Sequence, residues 1–579
     1  MKDYYEKIEK RSPEAVSALL KRGVEVQSLK NGTSILRENF GDVLKLLIVS
    51  VGLLVVIVAL NVAGLLLAKA AAREREMAVR VAIGGTPLRL AQQLLAESFL
   101  LAVFGAAGGV IVAVITVPLA VHSLPPIRAL DTSIVPISLD ASLNWRVLLF
   151  VLLSSVITTV IFSAGPITAA SRYSIDRVLR TTRASSSIRG RQVLITGQIA
   201  LCTFLLASAG LLVRSFKELR DTPSGFATDS IATLRCDFGT SKFPPGTIDA
   251  VIERVRELPG VVSAATSSFG VMREHGLFAT AVPAGTRITR ADFMDTNVNQ
   301  VSRGYFMTMG MRLLAGRDFI PGDAPKPKQT GLTKVIVNEA FVRRFFPGSN
   351  GSGKQFGTGM EGSIASAESE IVGVVSDAKY RSLRDPIRPM FYSLETNLDS
   401  EFMLNVRTHA APETIIQSAR RALASVAPDL RIVEAGTLAE AVNDTTAPER
   451  ITATLASLFG AMATLLAGIG TYGLLAYAVT QRRREIGIRM ALGARPVQVT
   501  RLVAVQTFAM TGAGIMAGLI TAWLAEPAMR SLLYGVSPQD PISLTAAAIF
   551  VLLVATAATI GPAFEATQIQ PAETLRTEA

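Results

Sequence analysis

The sequence is short of the residues from which covalent or metal-bound scaffolds are built. Its 579 residues include two cysteines, Cys202 and Cys236, too few for a disulfide framework. Cys202 lies in an apolar run, where a thiol is a small buried hydrophobe. The three histidines, His122, His275 and His409, are far apart and lack metal-ligand spacing, which argues against a zinc site. Charged residues make up 18% of the chain and hydrophobic ones 49%. An average soluble domain carries roughly 25% charge. This balance excludes a disordered chain and a coiled coil, and points to a membrane protein with at least one aqueous domain. Acids are scarce inside the apolar runs, with Glu97 and Glu526 near run ends and Asn61 and Gln198 as the notable interior polar residues. An ion-coupled carrier usually buries carboxylates near the membrane midplane, so that class is disfavoured. No Ser/His/Asp, metal or paired-acid constellation is present, so neither an enzyme nor a bound cofactor is expected. The polar start, Met1-Lys2-Asp3-Tyr4-Tyr5, does not read as a signal peptide.

What the sequence has is apolar length. A membrane-spanning helix needs about 20 apolar residues. Seven stretches qualify, at 43–69, 95–121, 147–170, 193–213, 451–479, 502–524 and 542–564. Arginines gather in alternate connections: Arg73, Arg75, Arg80 and Arg89 after the first stretch, Arg172 through Arg191 after the third, and Arg482 through Arg501 after the fifth. The positive-inside rule makes these connections cytoplasmic, with the N-terminus and the long segment 214–450 on the other side. The net charge of +12 then resides mainly in cytoplasmic loops and calls for no nucleic acid.

The chain also repeats itself. At an offset of 409 residues, Glu76 falls on Glu485, Arg80 on Arg489, Gly84 on Gly493, and Gly64-Leu65-Leu66 on Gly473-Leu474-Leu475. Gly105 and Gly109 fall on Gly514 and Gly518, and Val24-Glu25 on Val433-Glu434. At an offset of 396, Gly165-Pro166 matches Gly561-Pro562. The repeating unit is one membrane helix, one outside domain and three further membrane helices. The second copy is whole from about residue 191. The first begins near the end of its outside domain, so roughly two hundred residues of a complete copy are expected either upstream of Met1 or lost from a shortened first copy.

Within 214–450, strand-like runs (230–238, 260–267, 334–338, 370–376, 402–407, 430–434) alternate with helix-like runs (247–258, 339–346, 412–426), which predicts an α+β domain in two lobes. Gly348 through Lys354 nearly spells a phosphate-binding loop. However, Gln355 replaces the hydroxyl residue that would hold Mg²⁺, and the strand-before, helix-after context is missing.

Two features could carry function. The first is the repeated stretch Arg75-Glu76-Met77-Ala78-Val79-Arg80-Val81-Ala82-Ile83-Gly84 and Arg484-Glu485-Ile486-Gly487-Ile488-Arg489-Met490-Ala491-Leu492-Gly493. Glu and Arg four apart share one helical face, and the glycine suits a helix end. The result is a short amphipathic helix on the cytoplasmic face, either anchoring on lipid or docking a partner. The second is the small-xxx-small pair Gly105/Gly109 and Gly514/Gly518, which reads as a helix-packing face.

These residues resemble the FtsX-like/MacB-type permeases of ABC transporters, with Arg-Glu-x-x-x-Arg-x-Ala-x-Gly as the most specific mark. Val301-Ser302-Arg303-Gly304-Tyr305-Phe306, Gly316-Arg317-Asp318-Phe319, Val337-Asn338-Glu339-Ala340 and Ile371-Val372-Gly373-Val374-Val375 are similar to the MacB-type periplasmic domain. The two-unit layout resembles the duplicated permeases common in acidobacteria.

The resemblance implies a polytopic α-helical inner-membrane protein of about seven spans, with a large periplasmic α+β domain. Its parts would be a remnant of the first periplasmic domain with an amphipathic stalk (1–42), a first permease unit (43–170), a basic cytoplasmic linker (171–191), a fourth span (192–213), a periplasmic domain (214–450), a second permease unit (451–566) and a cytoplasmic tail (567–579). It also implies a separate cytoplasmic MacB/LolD-like ATPase dimer as partner, with Glu76, Arg80, Gly84, Glu485, Arg489 and Gly493 as coupling positions, and a periplasmic adaptor as a further partner. The implied activity is mechanotransmission for export or envelope work, without catalysis by this chain. The alternative is a membrane signalling or scaffold protein that controls an envelope enzyme through the same domain.

Overall fold

The computed structural model describes residues 35–72, 87–123, 144–154, 156–157, 185–239, 246–272, 276–292, 295–324, 331–395, 401–481, 483–492 and 495–568. Helices α1 (Ile35–Ala72), α2 (Pro87–Ser123) and α3 (Ser185–Arg220) precede a sheet domain. Helices α9 (Ala447–Gln481), α10 (Arg483–Ala491), α11 (Pro496–Leu524), α12 (Glu526–Met529) and α13 (Pro541–Thr567) follow it. Among the described residues, five segments are long and apolar enough to cross a membrane: Leu44–Gly64, Gln192–Arg220, Ala447–Gln481, Ala504–Leu524 and Pro541–Thr567. Two shorter apolar helices, Val103–Pro118 and Trp145–Ser154, overlap the second and third expected spans.

The membrane bundle is built around α3. A core of Ile195, Ile199, Cys202 and Leu205 from α3 takes in Leu54 and Ile57 of α1, Ala463, Ala467 and Leu474 of α9, Met510 of α11 and Val551 of α13. Small residues recur where helices meet, as expected where packing rather than apolar transfer holds helices together. Helices α3 and α9 have 36 and 35 residues. At about 1.5 Å per residue each exceeds the hydrocarbon thickness of about 30 Å by several turns. The end of α3 and the start of α9 lead into the sheet domain and serve as its stalk.

The sheet domain contains β1 (Ile231–Asp237), α4 (Thr247–Arg256), β2 (Val261–Ser267), β3 (Leu277–Ala279), β4 (Ala281–Pro283), β5 (Thr296–Val301), α5 (Tyr305–Met309), β6 (Leu313–Gly316), β7 (Thr333–Asn338), α6 (Glu339–Phe345), β8 (Gln355–Thr358), β9 (Ser369–Val375), β10 (Met390–Leu394), β11 (Glu401–Thr408), α7 (Pro412–Val426), β12 (Arg431–Thr437) and α8 (Leu438–Thr445). One continuous sheet runs β12-β1-β11-β2-β5-β10-β7-β9-β8-β4, with β3 on β5 and β6 on β9.

Chain order explains the two lobes. The first lobe is β1-α4-β2 followed later by β11-α7-β12, with the four strands antiparallel in the order β12-β1-β11-β2. That is a split βαβ plan. Helix α4 buries Val251, Ile252 and Val255, and α7 buries Ile415, Ala419, Ala422 and Leu423, spacings that put one stripe of each helix on the sheet. The second lobe is an insertion between β2 and β11, with β7 and β9 parallel at its centre and Phe341 of α6 packed on Phe356 and Phe345. The sheet is continuous at the waist through the single pair Ser267↔Val301. The expected two-lobed α+β domain is what the strands form.

The near-P-loop at 348–354 joins α6 to β8. It therefore runs helix to strand, the reverse of the order a phosphate cradle needs. Gly351 is pressed against Val342 and Val374. The segment is a packed turn.

Candidate functional site

The repeated Glu–Arg stretch folds, in its second copy, as α10, a short helix between the ends of α9 and α11. It is held by a small apolar cluster in which Ile486 meets Val479 of α9 and Ala566 of α13, with Met490 packed alongside. Ile486 and Met490 are four apart and share a face. Ile488, Arg489 and Leu492 are exposed, Leu492 by 83%. The turn after α10 leads into α11, whose first residue is Pro496 and whose Gln498 side chain accepts from the Arg495 N–H at 3.1 Å. Proline at the first helical position and a side-chain cap on a free N–H both favour a helix start there. The arrangement presents an apolar and cationic ridge at one end of the bundle. Glu485 lies on α10. Glu76, Arg80, Gly84 and Gly493 lie outside the described residues.

Gly514 and Gly518 sit on α11 against α3. A Cβ at 514 would lie 2.7 Å from the Cβ of Ile199 and 2.9 Å from the Thr196 carbonyl oxygen. A Cβ at 518 would lie 2.5 Å from the Ala200 carbonyl and 2.7 Å from the Thr203 Cβ. Only a glycine permits so close an approach of the two backbones. Gly105 and Gly109 sit on α2, where a Cβ would meet nothing within 4 Å among the described residues.

The two interior amides meet one another across three helices. Asn61 Nδ2 of α1 and Gln198 Nε2 of α3 each donate to the carbonyl of Leu466 on α9, both at 2.9 Å. Gly470 makes the space: a Cβ there would lie 1.9 Å from Asn61 Oδ1 and 2.8 Å from Gln198 Nε2. The offset of 409 places Asn61 on Gly470 itself, so one copy supplies the amide and the other the gap that receives it. Both amides stand out in the sequence as polar residues in apolar runs, whereas Gly470 is marked only by the mismatch with Asn61 at the equivalent repeat position.

Among the described residues, no group of three His, Cys, Asp or Glu could hold a metal ion. Burial pushes the Cys236 thiol up to about 12, so it stays protonated. At the waist, Glu395 accepts from Thr266 Oγ1 at 2.7 Å and from Ser268 Oγ at 3.5 Å, while its N–H donates to Val301 at 3.0 Å. Burial raises this carboxyl to about 7, against the partly offsetting hydroxyl donors.

Comparison with known proteins agrees with the repeat. The FtsX-like permease C-terminal family matches residues 48–175 and again 457–571. Each membrane unit of the chain is thus similar to the FtsX-like permease C-terminal family, and its long apolar helices make the chain a multi-pass membrane protein. The macrolide export ATP-binding/permease protein MacB of Mannheimia succiniciproducens is 24% identical over 301 residues, 49% of this chain and 44% of that protein. The probable syringafactin export ATP-binding/permease protein SyfD of Pseudomonas syringae pv. tomato is 27% identical over 35% of this chain and 30% of its own length. The chain thus spans less than half the length of these two relatives. The uncharacterized ABC transporter permease YknZ of Bacillus subtilis is 22% identical over 49% of this chain and 70% of its own. Among solved structures, the periplasmic region of MacB from Actinobacillus actinomycetemcomitans aligns with 38% of this chain and 94% of its own, at 14% identity and a TM-score of 0.26.

Proposed function

We propose that the chain is the permease subunit of an ABC transporter, and that it converts ATP hydrolysis by a separate ATPase into movement of its sheet domain for export or envelope work. The observation that carries this reading is α10. It repeats a motif of the first unit, its apolar face is fastened to α9 and α13, and Ile488 and Leu492 beside Arg489 are exposed apolar side chains that a partner could cover. A helix so fastened passes a push on its exposed face to α9, and α9 runs from the membrane bundle to the first lobe.

In this reading α10 faces the cytoplasm of a bacterium's inner membrane and the sheet domain faces the periplasm. Glu76, Arg80, Gly84, Glu485, Arg489 and Gly493 form two coupling surfaces, one for each half of an ATPase dimer, and a periplasmic adaptor meets the sheet domain. The chain binds no cofactor and performs no hydrolysis. Relatives named as export ATP-binding/permease proteins support the assignment.

The test is charge reversal, Glu485→Arg with Arg489→Glu, in the chain reconstituted with the ATPase that co-purifies with it. Membrane insertion should be retained and the stimulation of ATPase activity lost. Unchanged stimulation would sink the assignment, and so would co-purification with an envelope hydrolase or a kinase in place of an ATPase.

A further inference from the structure

The second lobe has no stalk helix of its own. It is inserted between β2 and β11 of the first lobe and meets it in the sheet at Ser267↔Val301. On connectivity alone it should pivot about that waist. Instead, the loop between β9 and β10, residues 376–389, reaches back to the membrane bundle.

The loop is fixed at its root. Asp377 Oδ1 accepts from the Ala340 N–H of α6 at 2.8 Å, and its Oδ2 pairs with Arg343 at 3.1 Å. Tyr380 and Leu383 are buried in the core that also holds Leu219 of α3 and Leu438 and Ala441 of α8. The loop passes directly over the end of α3. The Lys379 N–H donates to the Ser224 carbonyl at 2.8 Å, and Gly225, at φ +84°, lets the two backbones approach until a Cβ would stand 2.7 Å from the Cα of Ala378.

Arg384 then joins two parts of the bundle at once. One guanidinium nitrogen donates to Glu449 Oε1 at the start of α9, at 3.2 Å. Another donates to the carbonyl of Ser531, in the connection between α11 and α13. That connection is itself tied to α3, because the Tyr534 N–H donates to Ser215 Oγ at 2.7 Å and Arg214 pairs with Asp540. Lys379 lies 6.0 Å from the Tyr534 ring. Glu449 is mostly buried, and its other oxygen, Oε2, is buried without a partner. Losing Arg384 would therefore leave that carboxylate unpaired in a poorly solvated place.

We infer that Arg384 is a latch by which the second lobe grips the membrane bundle, clamping the start of α9 to the α11–α13 connection so that a relative shift of the two is delivered to the lobe that no stalk enters. As a transmission element it rests on the permease reading above. As a tie between lobe and bundle it stands by itself.

The test places spin labels at Gln355→Cys on β8 of the second lobe and Arg530→Cys beside the connection, both exposed positions; the native Cys202 and Cys236 are buried. Distances are measured on the full chain in lipid nanodiscs without nucleotide. Otherwise unaltered chains should give one narrow distance peak. Arg384→Glu, Glu449→Arg and the milder Arg384→Gln should each lose it to a broad distribution. The double variant Arg384→Glu with Glu449→Arg should recover much of it, which a merely destabilising change would not. A peak that stays narrow in Arg384→Gln overturns the latch. Failure of the two lobes to move when the co-purifying ATPase turns over ATP, with the latch intact in the resting chain, would instead overturn the transmission reading.

Discussion

Helices α2 and α11 occupy equivalent places in the two repeats, yet their glycines live in different surroundings. Gly514 and Gly518 of α11 are pressed against the α3 backbone, with a Cβ at 518 only 2.5 Å from a carbonyl oxygen. Gly105 and Gly109 of α2, with the same spacing, face nothing within 4 Å among the described residues. The same motif at the same offset is thus a tight helix contact in one unit and an open surface in the other. A small-xxx-small pair is permission for close approach, and whether it is used depends on a second helix being there. The Asn61–Gly470 pair is the converse case. There the repeats have diverged at one equivalent position, and the divergence is what lets α1 and α9 lock together through the Leu466 carbonyl.

The largest expected effect is at the filled site. Gly518→Leu should destabilise the bundle by about 3 kcal/mol, the upper end for overpacking, because the obstacle is backbone that cannot swing aside. Gly109→Leu should change nothing measurable. Thermal unfolding of the two detergent-solubilised variants, followed by loss of the monodisperse gel-filtration peak, compares them directly. Equal damage from both would mean that α2 is as closely packed as α11.

A pH titration of similar size separates the sheet domain from the repeats. Glu395 is held near 7 when folded and returns to about 4.5 when unfolded. Between those values the folded state binds the extra proton, so stability falls as pH rises, by on the order of 3 kcal/mol across the window, and levels off above it. Asp323, held low by Arg317, and Glu368, held low by Thr358, act in the opposite sense at more acid pH. Glu395→Gln should flatten the slope between pH 4.5 and 7 and leave the helix-packing variants unaffected. A slope unchanged in Glu395→Gln would assign the titration to another group.

Gly470→Ala comes next, at about 1–3 kcal/mol, since its Cβ would fall 1.9 Å from Asn61 Oδ1. Asn61→Ala in the same chain should relieve most of that cost. This non-additivity, read in a thermal double-mutant cycle, is the signature of direct contact between the two repeats. Additive losses would place the damage elsewhere. The smallest effect is that of Asn61→Leu alone, about 0.6 kcal/mol, because Gln198 still donates to Leu466 and an interhelical hydrogen bond in lipid contributes only that much on average.

Much of the molecule was legible in its residues. Apolar runs of about 20 residues have few ways to fold except across a bilayer. The offset of 409 was plain because the repeated positions carry glycine, proline and paired charges, which tolerate little drift in backbone geometry. The alternation of 214–450 between strand-like and helix-like runs made an α+β domain evident. The split of that domain into a βαβ frame and an insertion was not, since strand order depends on pairings such as β1 with β11, more than 160 residues apart. Arg384 could not be read either. Nothing in its neighbourhood distinguishes it from other loop arginines, and its partners Glu449 and Ser531 lie 65 and 147 residues away.

Local chemistry therefore accounts for which described segments are long and apolar enough to cross a membrane and which form the sheet domain. Those properties depend on burial, periodicity and capping within a few turns of chain. Packing alone settled which glycine pair is occupied, which amides meet, and how the second lobe is tied to the bundle. Each of these needs groups from distant elements brought within 3 Å or so, and short-range interactions of that kind exist only once the whole chain has chosen its neighbours.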